Sequence, residues 1–207
     1  MPTRHLTELI QRLPELAGCQ ESILAAYQTL RDGFQSGGKV ILCGNGGSAA
    51  DADHWAGELL KGFKKDRRLS LKDQGNLRPE IAARLQGALP AIPLTSFPAA
   101  STAFGNDVAP ELAYAQLTWA LGRRGDVFVG LSTSGNAANV CAAAEVAREK
   151  GLRVIGLTGA TGGKLKALCD VCICAPSAET YRVQEYHLPI YHCLSLMQEE
   201  NFFGGGN

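Results

Sequence analysis

The chain has 207 residues, 45% of them hydrophobic, and its 20 basic and 20 acidic residues leave a formal net charge of zero. That length supports one domain with a core of its own, and the balanced charge excludes a protein whose main partner is a nucleic-acid backbone or an anionic membrane surface. Seven cysteines set mostly in apolar runs, no secretory signal at the amino terminus, and no apolar run near the roughly 20 residues that span a bilayer predict a soluble cytoplasmic protein with reduced thiols.

Over residues 3–36, Leu6, Leu9, Ile10, Leu13 and Leu16, then Ile23, Leu24, Tyr27, Leu30 and Phe34, recur at spacings of three and four. This predicts two amphipathic helices with a break near Gly18, their apolar stripes packed against the domain or against a second copy. From residue 38 onward, β-rich runs at 38–43, 91–95, 127–131, 152–157 and 171–175 alternate with helical segments. The fold class is therefore α/β: a three-layer sandwich whose central parallel sheet of about five strands has helices on both faces. The expected organisation is a single domain over 1–207, with an N-terminal helical segment 1–37 and an α/β core 38–207. The connection 61–90 is long for a helix-to-strand link and is expected to be a surface excursion with a short helix inside 80–89; a lid is the alternative.

Ligands in such folds bind beyond the carboxyl ends of the strands. At the first of these ends, Gly44-x-Gly46-x-x-Ala49 fits a dinucleotide fingerprint, but no strand precedes Asp66 at the place where the ribose-binding acid belongs. Asn45 and Ser48 among the glycines instead offer hydrogen bonds to a small hydroxylated ligand that approaches the backbone. The following helix sets His54 and Glu58 four apart, on one face with Asp51, a pairing suited to metal binding or proton transfer and otherwise to an ordinary surface contact. Ser132-Thr133-Ser134-Gly135-Asn136 crowds hydroxyls onto a strand end where a helix over 137–150 begins. One such residue would suffice as a cap, so the cluster predicts an anion site.

Cys169, Cys172 and Cys174 lack a second cysteine pair at zinc-finger spacing. Strand alternation sends Cys172 and Cys174 to one face and Val171 and Ile173 to the other, which predicts core packing. The last helix, 180–201, carries Gln184, Glu185, His187 and His192. His187 and His192 point about 140° apart, so both can hardly serve one metal, and Gln184 lies between them in direction; helical geometry leaves the choice of histidine open.

The stretches GNGGSAADADHWAGEL (44–59), STAFGND (101–107), GDVFVGLSTSGNAANV (125–140), VIGLTGATGGKL (154–165) and YRVQEYHLPIYH (181–192) together resemble the sugar isomerase (SIS) domain family, and within it the phosphoheptose isomerases. The resemblance implies the SIS fold and conversion of sedoheptulose 7-phosphate to D-glycero-D-manno-heptose 7-phosphate. It implies sugar-phosphate contacts from Asn45, Gly46, Gly47, Asn106 and Asp107, beside Ser48, and phosphate binding by Ser132, Thr133 and Ser134. It further implies a Zn2+ site of His54, Glu58, Gln184 and His192, with His187 as a neighbour, in a homotetramer whose sites form between subunits.

Two positions depart from the family pattern. Ala137 stands where a serine is usual, and Gly62 stands near the place of an expected arginine, for which Lys61 or Lys64 would substitute. For enediol(ate) proton transfer, Glu58 is the candidate base and His192 the candidate acid. A non-catalytic SIS module that binds a sugar phosphate or a protein, like the relatives that regulate replication initiation, would need the phosphate loop but no such pair. An isomerase of another sugar phosphate is the remaining alternative.

Overall fold

Val40-Ile41-Leu42-Cys43 is buried at every position, as a strand covered on both faces must be. The computed structural model describes residues 3–204; the outermost parts of the expected 1–207 domain, residues 1–2 and 205–207, lie outside the described residues. In chain order the elements are α1 (Thr3–Arg12), α2 (Gln20–Gln35), β1 (Val40–Gly44), α3 (Gly47–Leu60), α4 (Leu71–Gln74), α5 (Pro79–Ala82), β2 (Ala91–Pro93), α6 (Pro98–Asp107), α7 (Ala113–Leu121), β3 (Val127–Ser132), α8 (Ala138–Glu149), β4 (Arg153–Thr158), α9 (Gly163–Lys166), β5 (Val171–Cys174) and α10 (Thr180–Phe203).

The strands form one five-stranded sheet in the order β2-β1-β3-β4-β5, parallel at every pairing. Alternate residues feed two cores. Val40, Leu42, Val127, Val129 and Ile155 meet α1, α2, α3 and α10, while Ile41, Cys43, Phe128 and Val154 meet α7 and α8 on the other face. At Gly130 a Cβ would lie 2.9 Å from Val140, so α8 approaches β3 closely only because that position carries no side chain.

Several boundaries differ from expectation. The N-terminal break is a 3-10 turn over Pro14–Cys19 that starts before Gly18, because Pro14 cannot continue α1. β2 spans only Ala91–Pro93; Leu94–Ser96 tightens into a 3-10 turn. Helices α6 and α7 fill 98–121, a region without strong apolar periodicity. The expected short helix within 80–89 is a single turn at Pro79–Ala82, and α4, capped by Ser70, precedes it. The 61–90 excursion is tied down where it leaves and returns. Gly62 N–H donates to Gln86 Oε1 at 2.9 Å, and Leu89 N–H to Leu59 O at 2.9 Å.

Candidate active site

The chain passes from β1 outward to β2 and then crosses to β3 on the other side of β1. The carboxyl ends of β1 and β3 therefore flank the switch point of the sheet, where parallel α/β folds open a crevice. A cavity of about 350 Å³ lies there, lined by Asn45, Gly46, Gly47, Ser48, Ser132, Thr133, Ser134, Ala137, Thr180 and Gln184. Gly46, at φ +54, makes the left-handed turn that lets α3 start immediately after β1. Gly47 leaves room for Gln184: a Cβ there would lie 2.6 Å from the Gln184 amide nitrogen.

The hydroxyl loop is held from behind. Gly135 adopts φ +67, and a Cβ on it would collide with the Gly162 carbonyl; Lys164 N–H donates to Asn136 Oδ1 at 3.1 Å. Ser134 Oγ accepts from Asn136 N–H at 3.1 Å, while the N-cap of α8 is Ala137, with no side-chain cap. The positive end of α8 thus faces a cavity of hydroxyls and backbone amides, an arrangement suited to a phosphate. Asn45 and Asn139 exchange two amide hydrogen bonds, at 2.8 and 2.9 Å, and join the glycine loop to the first turn of α8.

A second group of side chains lies between α3 and α10. One ligand atom each from His54, Glu58 and His192 falls within 4.8 Å of the others. His54 Nε2 is 3.1 Å from Glu58 Oε1, and the His54 and His192 rings meet edge to face with centroids 5.1 Å apart. Tyr191, stacked on Trp55, places its hydroxyl 2.9 Å from His54 Nδ1 and donates to Asp51 Oδ1 at 3.3 Å. Tyr191 and Asp51 thus anchor the Nδ1 side of the His54 ring, and its Nε2 side faces the Glu58 carboxylate. Glu58 Oε2 and His192 Nε2 are buried without hydrogen-bond partners. Two buried, partnerless atoms beside the His54/Glu58 contact fit a bound cation, and the His/Glu/His donor set suits zinc. Burial pushes the His192 pKa down, helped by neighbouring His54, and raises those of Asp51 and Tyr191.

Behind this group, a buried ion pair fixes the end of α3. Arg67 Nε donates to Glu199 Oε1 at 2.8 Å, and its two remaining nitrogens donate to Leu59 O at 2.8 Å and Glu58 O at 3.0 Å. Glu199 also accepts from the backbone N–H groups of Phe63, Lys64 and Lys65. Burial alone would raise the Glu199 pKa, but these donors and the guanidinium outweigh it and lower it. The network holds Phe63, whose ring lies 5.2 Å from that of His192, and the last turn of the helix that carries Glu58.

Not every expected site residue converges within one chain. Gln184 lines the loop cavity, whereas His192 belongs to the α3/α10 group; eight residues of helix put them about 12 Å apart along the axis. Asn106 donates to Asp107 at the exposed end of α6, and neither residue lines the loop cavity. His187 is buried, with Nε2 3.3 Å from Thr158 O, and burial pushes its pKa down to about 4. Of the two lysines near Gly62, Lys61 is the one beside the carboxylate, with Nζ 3.9 Å from Glu58 Oε2. Tyr191, Arg67, Glu199, Asn139 and Thr180 emerge only with the fold. Asn139 had a signal, since it lies in the GDVFVGLSTSGNAANV stretch, whereas Arg67 and Glu199 are 132 positions apart.

The SIS domain family model matches residues 79–159. A phosphoheptose isomerase of Aneurinibacillus thermoaerophilus is 41% identical over 194 residues, covering 89% of this chain and 88% of the relative. Among solved structures, the phosphoheptose isomerase GmhA from Neisseria gonorrhoeae matches with TM-score 0.73 and 35% identity over 93% of this chain and 94% of that one. A phosphoheptose isomerase from Francisella tularensis matches with TM-score 0.77 and 30% identity over 96% of both chains. The likeness extends beyond the sheet to the N-terminal helices and α10, and the chain belongs to the phosphoheptose isomerase family of SIS-domain proteins.

Proposed function

We propose that the protein interconverts sedoheptulose 7-phosphate and D-glycero-D-manno-heptose 7-phosphate by proton transfer through an enediol(ate). The observation that carries this reading is the pairing of a hydroxyl-lined cavity at a helix N-terminus with a carboxylate and two histidines on the adjoining helices. Ser132, Thr133 and Ser134 hold the phosphate. Asn45, Gly46, Gly47 and Ser48 hold the sugar hydroxyls, together with Gln184, Asn106 and Asp107. Anchoring the phosphate restrains the far end of the substrate and orients the reacting carbons.

Glu58 removes a proton from the carbon beside the ketone and returns it to the neighbouring carbon. His192 gives a proton to the carbonyl oxygen while the adjacent hydroxyl loses its own. Tyr191 and Asp51 fix the ring of His54, and the Arg67–Glu199 pair fixes the helix end below Glu58. Zn2+ held by His54, Glu58 and His192 would supply a Lewis acid to the site. Gln184 completes that set only if it comes from a neighbouring copy, because the Gln184 of the same chain lines the loop cavity. Such a set would form between subunits of the homotetramer proposed for the enzyme. Among the described residues no helix is long and apolar enough to cross a membrane, which fits the cytoplasmic location proposed for the enzyme.

Incubation of the purified protein with sedoheptulose 7-phosphate, with and without a zinc chelator, tests the reading. Aldose formation that the chelator suppresses is expected. No conversion of this or any other ketose phosphate would overturn the isomerase assignment and favour a binding module.

A further inference from the structure

Cysteines outside the site divide into two kinds. Cys19, Cys43, Cys141 and Cys193 are buried and their pKa values are raised by burial, so they are inert packing groups. Cys169, Cys172 and Cys174 are half-buried on the free edge of the sheet, around β5. Cys169-Asp170-Val171-Cys172 has the C-x-x-C spacing of dithiol redox pairs. Its turn is clamped to β4 in both directions: Asp170 N–H donates to Val154 O at 2.8 Å, and Val154 N–H donates to Asp170 Oδ2 at 2.7 Å.

Both sulfurs of the motif converge over Gly156 of β4, where a Cβ would lie 2.7 Å from Cys169 Sγ and 3.2 Å from Cys172 Sγ. The missing side chain is the space that brings them together. Cys172 Sγ also receives the Cys174 thiol at 3.8 Å and lies 3.5 Å from Thr158 Oγ1. The Cys169 thiol beside it, with Thr158 and Cys174, lowers the Cys172 pKa against the effect of burial, while Cys169, whose own thiol donates to Leu165 O at 3.1 Å, has its pKa raised. One sulfur is thus set up as thiolate and the other as its proton-bearing neighbour.

We propose that Cys169 and Cys172 are a redox-active dithiol that hydroperoxides oxidise to a disulfide, with Cys172 as the attacking sulfur and Cys169 as the resolving one. The Cys172 thiolate attacks one peroxide oxygen, the O–O bond breaks, and hydroxide leaves; the product is a sulfenic acid. Cys169 then attacks that sulfur, its proton leaves with the displaced hydroxyl as water, and the S–S bond forms. Two thiols and one hydrogen peroxide give one disulfide and two waters. Cys174 is not the resolving thiol. On one strand face its Cβ runs parallel to that of Cys172 about 6.6 Å away, beyond the roughly 4.5 Å a disulfide allows.

Trypsin releases residues 167–182 as one peptide carrying Cys169, Cys172 and Cys174. After brief hydrogen peroxide treatment of the intact protein, alkylation with iodoacetamide and digestion without reductant, this peptide should carry a single adduct, on Cys174, and dithiothreitol before alkylation should restore all three. In Cys169→Ser, dimedone should label Cys172. Full alkylation of peroxide-treated wild type, a bond that includes Cys174, or dimedone labelling confined to another cysteine would overturn the proposal. The wild-type measurement decides it even if the variant does not fold.

Discussion

The two halves of the site are built by different means. The loop cavity is made largely of backbone: glycines, strand-end hydroxyls and the first turn of α8, locked in place by Gly135 against Gly162. The α3/α10 group is made of side chains whose positions depend on two helices staying in register, and the buried Arg67–Glu199 pair sets that register. A backbone cradle binds and tolerates the loss of single side chains. A convergent side-chain group does chemistry and does not.

The largest expected effect therefore comes from the second region. Glu58→Gln should lower kcat by about 10³-fold or more, in line with loss of a positioned base, while a sugar phosphate still binds, as steady-state kinetics and calorimetry would show. Next is the support beneath it. Arg67→Met leaves the Glu199 carboxylate buried without its cation, and denaturant unfolding should show a loss of about 3–5 kcal/mol.

His187 distinguishes a structural histidine from the proposed catalytic one on the same helix. Its folded pKa of about 4 lies below the unfolded value of about 6.5, so its contribution is complete above the unfolded pKa and is lost as pH falls through the folded one. Wild type should lose up to about 3 kcal/mol from this group between those two pH values, and His187→Phe should flatten the stability profile there. The smallest effect belongs to the cradle. Ser134→Ala removes one hydroxyl from the proposed phosphate contact and should raise KM about tenfold with kcat nearly unchanged.

Much of this arrangement could be read from the chain because it is local. The strands follow from short apolar runs, the anion loop from hydroxyls at a strand end, and the His54/Glu58 pair from a spacing of four on one helix. What escaped is long-range or axial. The angular positions of Gln184 and His192 on α10 say nothing of the rise between them, which within one chain sets Gln184 at the loop cavity and His192 in the α3/α10 group. Arg67 stands in the charged run Lys64-Lys65-Asp66-Arg67-Arg68 with nothing local to single it out, and only the folded chain reveals that it caps the Glu58 helix against Glu199. Helices α6 and α7 lacked periodicity because they are short and α6 has no fully buried residue.

The division of labour is tested most directly by measuring, in parallel, sugar-phosphate affinity and turnover in Glu58→Gln and Ser134→Ala. Opposite patterns are expected: turnover lost with affinity kept in the first, affinity weakened with turnover kept in the second. Near-normal turnover in Glu58→Gln, or loss of the same quantity in both variants, would contradict it.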